Sequence, residues 1–290
     1  MALGILSLDA AGAGRRLLSS VLLGLALVAF VGVAAWNVAS SFRPSPVLVL
    51  FTLTAACGVL AERLATVPFA RSALVLSSVI GLASSVIVLA VVARPGRWPV
   101  DGSWFLAVVA CQSVAIVTEP AAVAWALWIA GVALYCVLAG LFLRRLVTGA
   151  VAIAELKPDT WITMGALAIS TVAADDLKDP AMVFVWIFAA LWIPFLVVVE
   201  VAGLKRLRPA IRYDPLRWAT VFPLGMFALA TRDVATRLAI PALGTAAAVF
   251  FGAALITAVI TAAPLPAVFR RRLRGEAGPT RFVSAPPGRG

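Results

Sequence analysis

Residues 159–202 read DTWITMGALAISTVAADDLKDPAMVFVWIFAALWIPFLVVVEVA. Its first half carries Thr163, Ala166, Ser170, Ala173 and Ala174 at helical spacing on one face and ends on Asp175. Its second half, after Asp179-Pro180, is bulky and apolar all round. A helix of that kind faces lipid or a membrane core. The pair reads as a helical hairpin, a short small-faced helix followed by a longer greasy one. The pattern recurs. Small, mildly polar stretches run into an acidic residue at Ser7-Leu8-Asp9, Leu60-Ala61-Glu62, Val117-Thr118-Glu119, Ala173-Ala174-Asp175 and Thr231-Arg232-Asp233, spaced 53, 57, 56 and 58 residues apart. A near-fixed period is the mark of an internal repeat.

Outward from that hairpin, the chain divides into ten apolar segments at about 1–13, 17–37, 46–64, 72–93, 102–118, 121–147, 159–175, 180–203, 215–232 and 239–268. The chain is 63% hydrophobic, with a mean hydropathy of +1.05. Backbone in hydrocarbon must satisfy its own hydrogen bonds, so such runs are helices. The expected fold is an all-α integral membrane protein with ten transmembrane helices, arranged as five hairpin repeats around a central pore. Residues 1–274 make one transmembrane domain. Residues 275–290, rich in Pro, Gly and Arg, read as a disordered cytoplasmic tail. The first segment is short. Residues 1–13 reach about 20 Å as a helix, against a hydrocarbon core of ~30 Å. A truncated first helix would leave one stave of the pore short, and a non-conducting relic is among the readings.

Charge sets the orientation. The loops after odd segments hold seven basic and seven acidic residues. That leaves 17 of the 24 basic and 6 of the 13 acidic residues on the other side. Lys and Arg concentrate on the cytoplasmic side. Both termini are therefore expected in the cytoplasm, with the acidic marks outside and the chain multi-pass in the plasma (inner) membrane. Topology accounts for the +11 charge without nucleic acid.

The chain lacks histidine, and Cys57, Cys111 and Cys136 have no metal-ligand spacing, so neither metal nor cofactor is expected. Asp175-Asp176 point about 100° apart on a helix, which does not make a catalytic pair. An enzyme is not expected. Glu200 lies near Lys205, and an interfacial ion pair is the expectation there.

The odd segments carry small and hydroxyl residues: Thr54, Gly58 and Ala61 in the third, Ala107, Cys111, Ala115 and Thr118 with Gln112 beside them in the fifth, and the Thr163–Ser170 face in the seventh. Such faces serve close helix packing or line a narrow pore. Five of them in a repeat favour a pore lined by Thr54, Gly58, Cys111, Gln112, Thr163 and Ser170. No charge sits in the middle of an odd segment, so passive conduction is expected ahead of a proton-coupled transporter. In the ninth segment Pro223 should kink the helix and Gly225 admits a close neighbour. Phe222 and Phe227 are both candidates for a steric gate.

At this ninth segment the chain resembles a known family. Trp218 followed by Phe222-Pro223-Leu224-Gly225-Met226 and Ala230-Thr231 is similar to the ninth helix of the tellurite-resistance/dicarboxylate transporter family, which includes the plant slow anion channels. Trp161 to Ser170 resembles its seventh helix, Gly102 to Leu106 with Gln112-Ser113 its fifth, and Phe51-Thr52 with Cys57 to Leu60 its third. The resemblance implies a homotrimer of separately conducting protomers in the lipid bilayer. It also implies a pore-blocking phenylalanine at Phe222 and small anion substrates: chloride, nitrate, C4-dicarboxylates, sulfite or tellurite.

Overall fold

The computed structural model describes residues 1–39, 46–92, 100–204, 214–267 and 270. The expected tail, 275–290, lies outside the described residues. Among those described there are ten α-helices and no strand: α1 (Ala2–Gly12), α2 (Arg16–Ala39), α3 (Pro46–Arg63), α4 (Pro68–Val92), α5 (Leu106–Val117), α6 (Ala121–Val147), α7 (Ile162–Asp176), α8 (Met182–Leu204), α9 (Trp218–Leu238) and α10 (Pro241–Ala262). Short 3₁₀ turns lead into α5 (Gly102–Phe105), α7 (Pro158–Trp161) and α9 (Pro215–Arg217).

Four stretches are long and apolar enough to cross a membrane: Arg16–Val33, Ala121–Val147, Met182–Gly203 and Pro241–Ala267. All four belong to even helices. Ala2–Gly12, Pro68–Ser84 and Gly102–Val117 are shorter apolar helices. The sequence distinction between the two kinds of helix therefore survives as a difference in length and in burial. Every residue of α5 but Ile116 is buried, whereas α2 buries only a small part of its span.

Packing explains that difference. The odd helices touch in the order α1, α3, α5, α7, α9, and α9 returns to α1, so they close a ring. Each even helix packs on the odd helix before it, and α4, α6, α8 and α10 also touch the next odd helix round the ring. The five inner helices are enclosed, and the even ones turn bulky groups such as Phe184, Phe188 and Leu191 outward.

Glycine sets the spacing at every junction of the ring. A Cβ on Gly4 of α1 would stand 2.9 Å from Val59 Cγ1 of α3, and one on Gly58 of α3 would stand 2.8 Å from the Ser113 carbonyl oxygen of α5. Gly165 of α7 receives Phe222 and Pro223 of α9, each 3.0 Å from where its Cβ would be, and Gly225 of α9 receives Ile5 and Leu6 of α1. Helices α5 and α7 also touch directly, and the close glycine approach between them lies in their lead-in turns, where Gly102 meets the Asp159 backbone. Small residues permit this backbone approach.

One stretch departs from the sequence expectation. The ninth segment, read as ending at 232, continues as helix to Leu238. Arg232 and Arg237 find carboxylate partners there, Asp9 and Asp175, so the charged run is held in place rather than released as a loop. The helix ends on Ala239 in the left-handed region (φ 53°), and Pro241 starts α10. At the opposite end of the ring, Glu200 accepts a hydrogen bond from the Trp161 indole at 3.2 Å. Lys205, its expected partner, lies outside the described residues.

Candidate functional site

A cavity of about 160 Å³ lies inside the ring, and all five odd helices line it. From α1 come Ile5 and Leu8, from α3 Gly58, Val59 and Glu62, and from α5 Ser113 and Ile116. From α7 come Ile169, Val172 and Asp176, and from α9 Met226, Leu229 and Asp233. On each helix these positions recur at three- and four-residue steps, so each presents one stripe to the axis. The walls are aliphatic. Carboxylates stand at one end, where α3, α7 and α9 supply Glu62, Asp176 and Asp233.

The charges at this acidic end divide into two sets. Asp9, fully buried, is paired with Arg232, which also donates to the Asp9 carbonyl oxygen and so ties α9 to α1. Asp175 pairs with Arg237 at 3.1 Å, and Glu119 lies 3.8 Å from Arg71. Arg63 donates to Ser7 Oγ (2.9 Å) and Ser19 Oγ (2.7 Å), which binds it between α1 and α2. Glu62, Asp176 and Asp233 make no ion pair among the described residues. The acidic residues that line the cavity thus have no ion-pair partner among the described residues. Among the described residues no group of three or more His, Cys, Asp or Glu side chains is arranged to hold a metal ion.

Of the residues singled out as pore-lining, Gly58 lines the cavity and the other five do not. The reason is packing. Cys111 donates to the Leu127 carbonyl oxygen (3.3 Å) and Gln112 Nε2 to that of Trp128 (3.1 Å), both on α6. Gly131 of α6 leaves room for the Gln112 amide, and Gly81 of α4 for Thr54. Ser170 Oγ bonds back to Ala166, while its own carbonyl accepts from Trp128 Nε1 at 2.9 Å. Thr163 bonds back to Thr160. The small face of α5 and Thr54 of α3 thus pack against even helices. Apart from Gly58, Ser113 and the carboxylates, the axis is left to Ile, Leu, Val and Met, which a search for small and hydroxyl residues passes over. A three- and four-residue stripe counted back from Glu62, Asp176 and Asp233 would have found them.

The two phenylalanines differ. Phe222 precedes Met226 by four residues and Leu229 by seven, so it continues the cavity stripe of α9 one turn inward. It is 2% exposed and stands against Gly165 of α7. Phe227 faces the other way. It stacks on Trp186 of α8, with centroids 6.2 Å apart, and meets Phe250 of α10 edge-on at 4.8 Å. Helix α9 runs through both Pro223 and Gly225. Pro223 leaves the Ala219 carbonyl without its helical donor.

A ring of five helices around an axial cavity, each with a greasy partner outside, is the arrangement the motif resemblance implies. Residues 1–265 match the voltage-dependent anion channel family. The chain belongs to that family. It is also 31% identical over 109 residues to an uncharacterised membrane protein of Mycobacterium tuberculosis, found alike in strains CDC 1551 / Oshkosh and ATCC 25618 / H37Rv. The match covers 32% of this chain and 55% of each relative, so the chain spans about half the length of the curated relatives it matches. The family match, by contrast, takes in all ten helices.

Proposed function

We propose that this chain is a membrane anion channel or facilitator whose conduction path is the axis of the five-helix ring. The observation that carries this reading is the cavity, to which every odd helix contributes, in a chain of the voltage-dependent anion channel family. On this reading all ten helices cross the bilayer as five hairpins and both termini are cytoplasmic. The acidic end faces outside the plasma membrane, and protomers assemble as a homotrimer with a pore in each. Phe222 obstructs the path, because it continues the cavity stripe; Phe227 has its place among Trp186 and Phe250. No carboxylate or amine stands on the stripe between Phe222 and the acidic rim, which supports passive conduction over proton coupling.

The test is flux into liposomes holding the purified protein, with chloride, nitrate, malate, sulfite and tellurite as the panel. At least one anion should enter faster than into protein-free liposomes. Imposing a pH gradient should not drive accumulation. Accumulation against the anion's own gradient would replace the channel with a coupled transporter. Absence of flux for all five anions in folded, reconstituted protein would defeat both.

A further inference from the structure

We propose that the ring carries a second seal, one helical turn from Phe222 towards the acidic end, made by Ile5, Val59, Ile169 and Met226. The proposal rests on the reading of the ring axis as the conduction path. It says that Phe222 is not the sole barrier on that path.

The exposure of the lining residues falls in steps along the cavity. Leu8, Ile116, Val172 and Leu229 line its upper level and are half-buried. One turn deeper each odd helix supplies one residue, and that whole layer is shut off: Ile5 is 0% exposed, Ile169 1%, Met226 2%, Ser113 2% and Val59 7%. Four of the five are aliphatic. The fifth, Ser113, has its hydroxyl committed to the Val109 carbonyl oxygen at 2.8 Å. The layer therefore offers an entering anion neither a charge nor a free donor. An apolar constriction of this kind stops ions by expelling water, since an ion stripped of water without replacement contacts is costly.

The backbone holds the layer closed. Three of the ring's close glycine contacts lie at this level: Gly4 against Val59, Gly58 against Ser113, and Gly225 against Ile5 and Leu6. They draw α9, α1, α3 and α5 together where the aliphatic side chains meet. Phe222, 2% exposed, lies one turn further along the same stripe. The two layers stand in series, so removing one leaves the other shut.

Accessibility tests this directly, without knowledge of the anion. Ala219 lies seven residues before Met226 on the same stripe, inward of both layers. In a background lacking Cys57, Cys111 and Cys136, the Ala219→Cys variant is exposed to a membrane-impermeant thiol reagent on the acidic side. A Leu229→Cys variant, which lies outside both layers, should label in every background. Labelling at position 219 should stay slow with Phe222→Ala alone and with Met226→Ala alone. It should rise at least about tenfold, one decade of rate, when both are combined. Phe222→Ala with Ile169→Ala provides a second combination should the first fail to fold, as judged by size-exclusion chromatography. Full labelling with Phe222→Ala alone would overturn the second seal. So would absence of labelling in both folded double variants. If labelling follows the expected pattern but no anion crosses the double variant, the seal stands and the anion reading falls.

Discussion

Replacing Gly58 by alanine probes the tightest point of the ring between two helices. The added Cβ would stand 2.8 Å from the Ser113 carbonyl oxygen and 2.9 Å from Ser113 Cβ. Ordinary contact begins near 3.4 Å, so α3 and α5 must part by roughly half an ångström, and a backbone carbonyl cannot rotate aside. Overpacking of this kind costs about 1–3 kcal/mol. Alanine's better helix propensity returns up to about 1 kcal/mol. Gly140→Ala is the control: that glycine lies in α6 with nothing within 4 Å of its would-be Cβ, so only the propensity gain applies. The two variants should differ by about 1–3 kcal/mol, or about 2–5 °C in melting temperature for a chain of this size. Thermal unfolding of the detergent-solubilised variants, followed by loss of the monodisperse chromatographic peak, measures it. If Gly58→Ala melts with Gly140→Ala, the close approach of α3 and α5 is wrong, and with it the account of how the ring is held shut.

Four other outcomes follow from the same geometry. Arg232→Ala leaves the fully buried Asp9 without a counter-charge and should cost about 3–5 kcal/mol; adding Asp9→Asn should restore most of the loss, and an undiminished loss in the double variant would show that the two do not act as a pair. Phe227→Ala should cost about 3–5 kcal/mol by removing the ring between Trp186 and Phe250 without raising anion flux, and a gain in flux would move the obstruction from Phe222 to Phe227. Neutralising the rim with Glu62→Gln, Asp176→Asn and Asp233→Asn should raise anion entry from that side about threefold at 0.15 M salt, with the gain vanishing at 1 M as screening shortens to about 3 Å; entry unchanged at low salt would mean that these carboxylates do not face the path. Single cysteines at Thr118 or Asp179 should label from outside the cell and one at Thr148 should not, the reverse result inverting the membrane orientation.

Legibility in the sequence followed the length scale of each feature. The alternation of two helix kinds was visible because bulky residues all round a helix can only meet lipid or other apolar groups, and the repeat made the alternation countable. The start of α3 at Pro46 was also legible, whereas α4 begins on Pro68, four residues before its expected start, and α10 on Pro241, two residues after its own. The extension of α9 to Leu238 was not legible. It depends on Arg232 finding Asp9, 223 residues away, and on Arg237 finding Asp175. The lining was the least legible part. Gly58 could be read and Phe222 was named through the family resemblance, but Cys111 and Gln112 look the same in sequence whether they bond α6 or face a cavity. The choice was made by Gly131, which opens a place for the Gln112 amide on the outer side of α5.

The sequence by itself determined that this is a helical membrane chain, that its helices come in unlike pairs, and which family it resembles. Those conclusions need only local composition and period, because the bilayer forces any long apolar run into a helix. The odd helices do close a ring, as the repeat suggested, but only their packing in three dimensions shows that glycines set its junctions and that mainly aliphatic residues, with Gly58 and Ser113, meet at its axis. It also decided which carboxylates are neutralised by arginine and which are left facing the cavity. Each of these depends on the rotation of one helix against another. That rotation is fixed by contacts between residues far apart in the chain, and no single helix carries it in its own sequence.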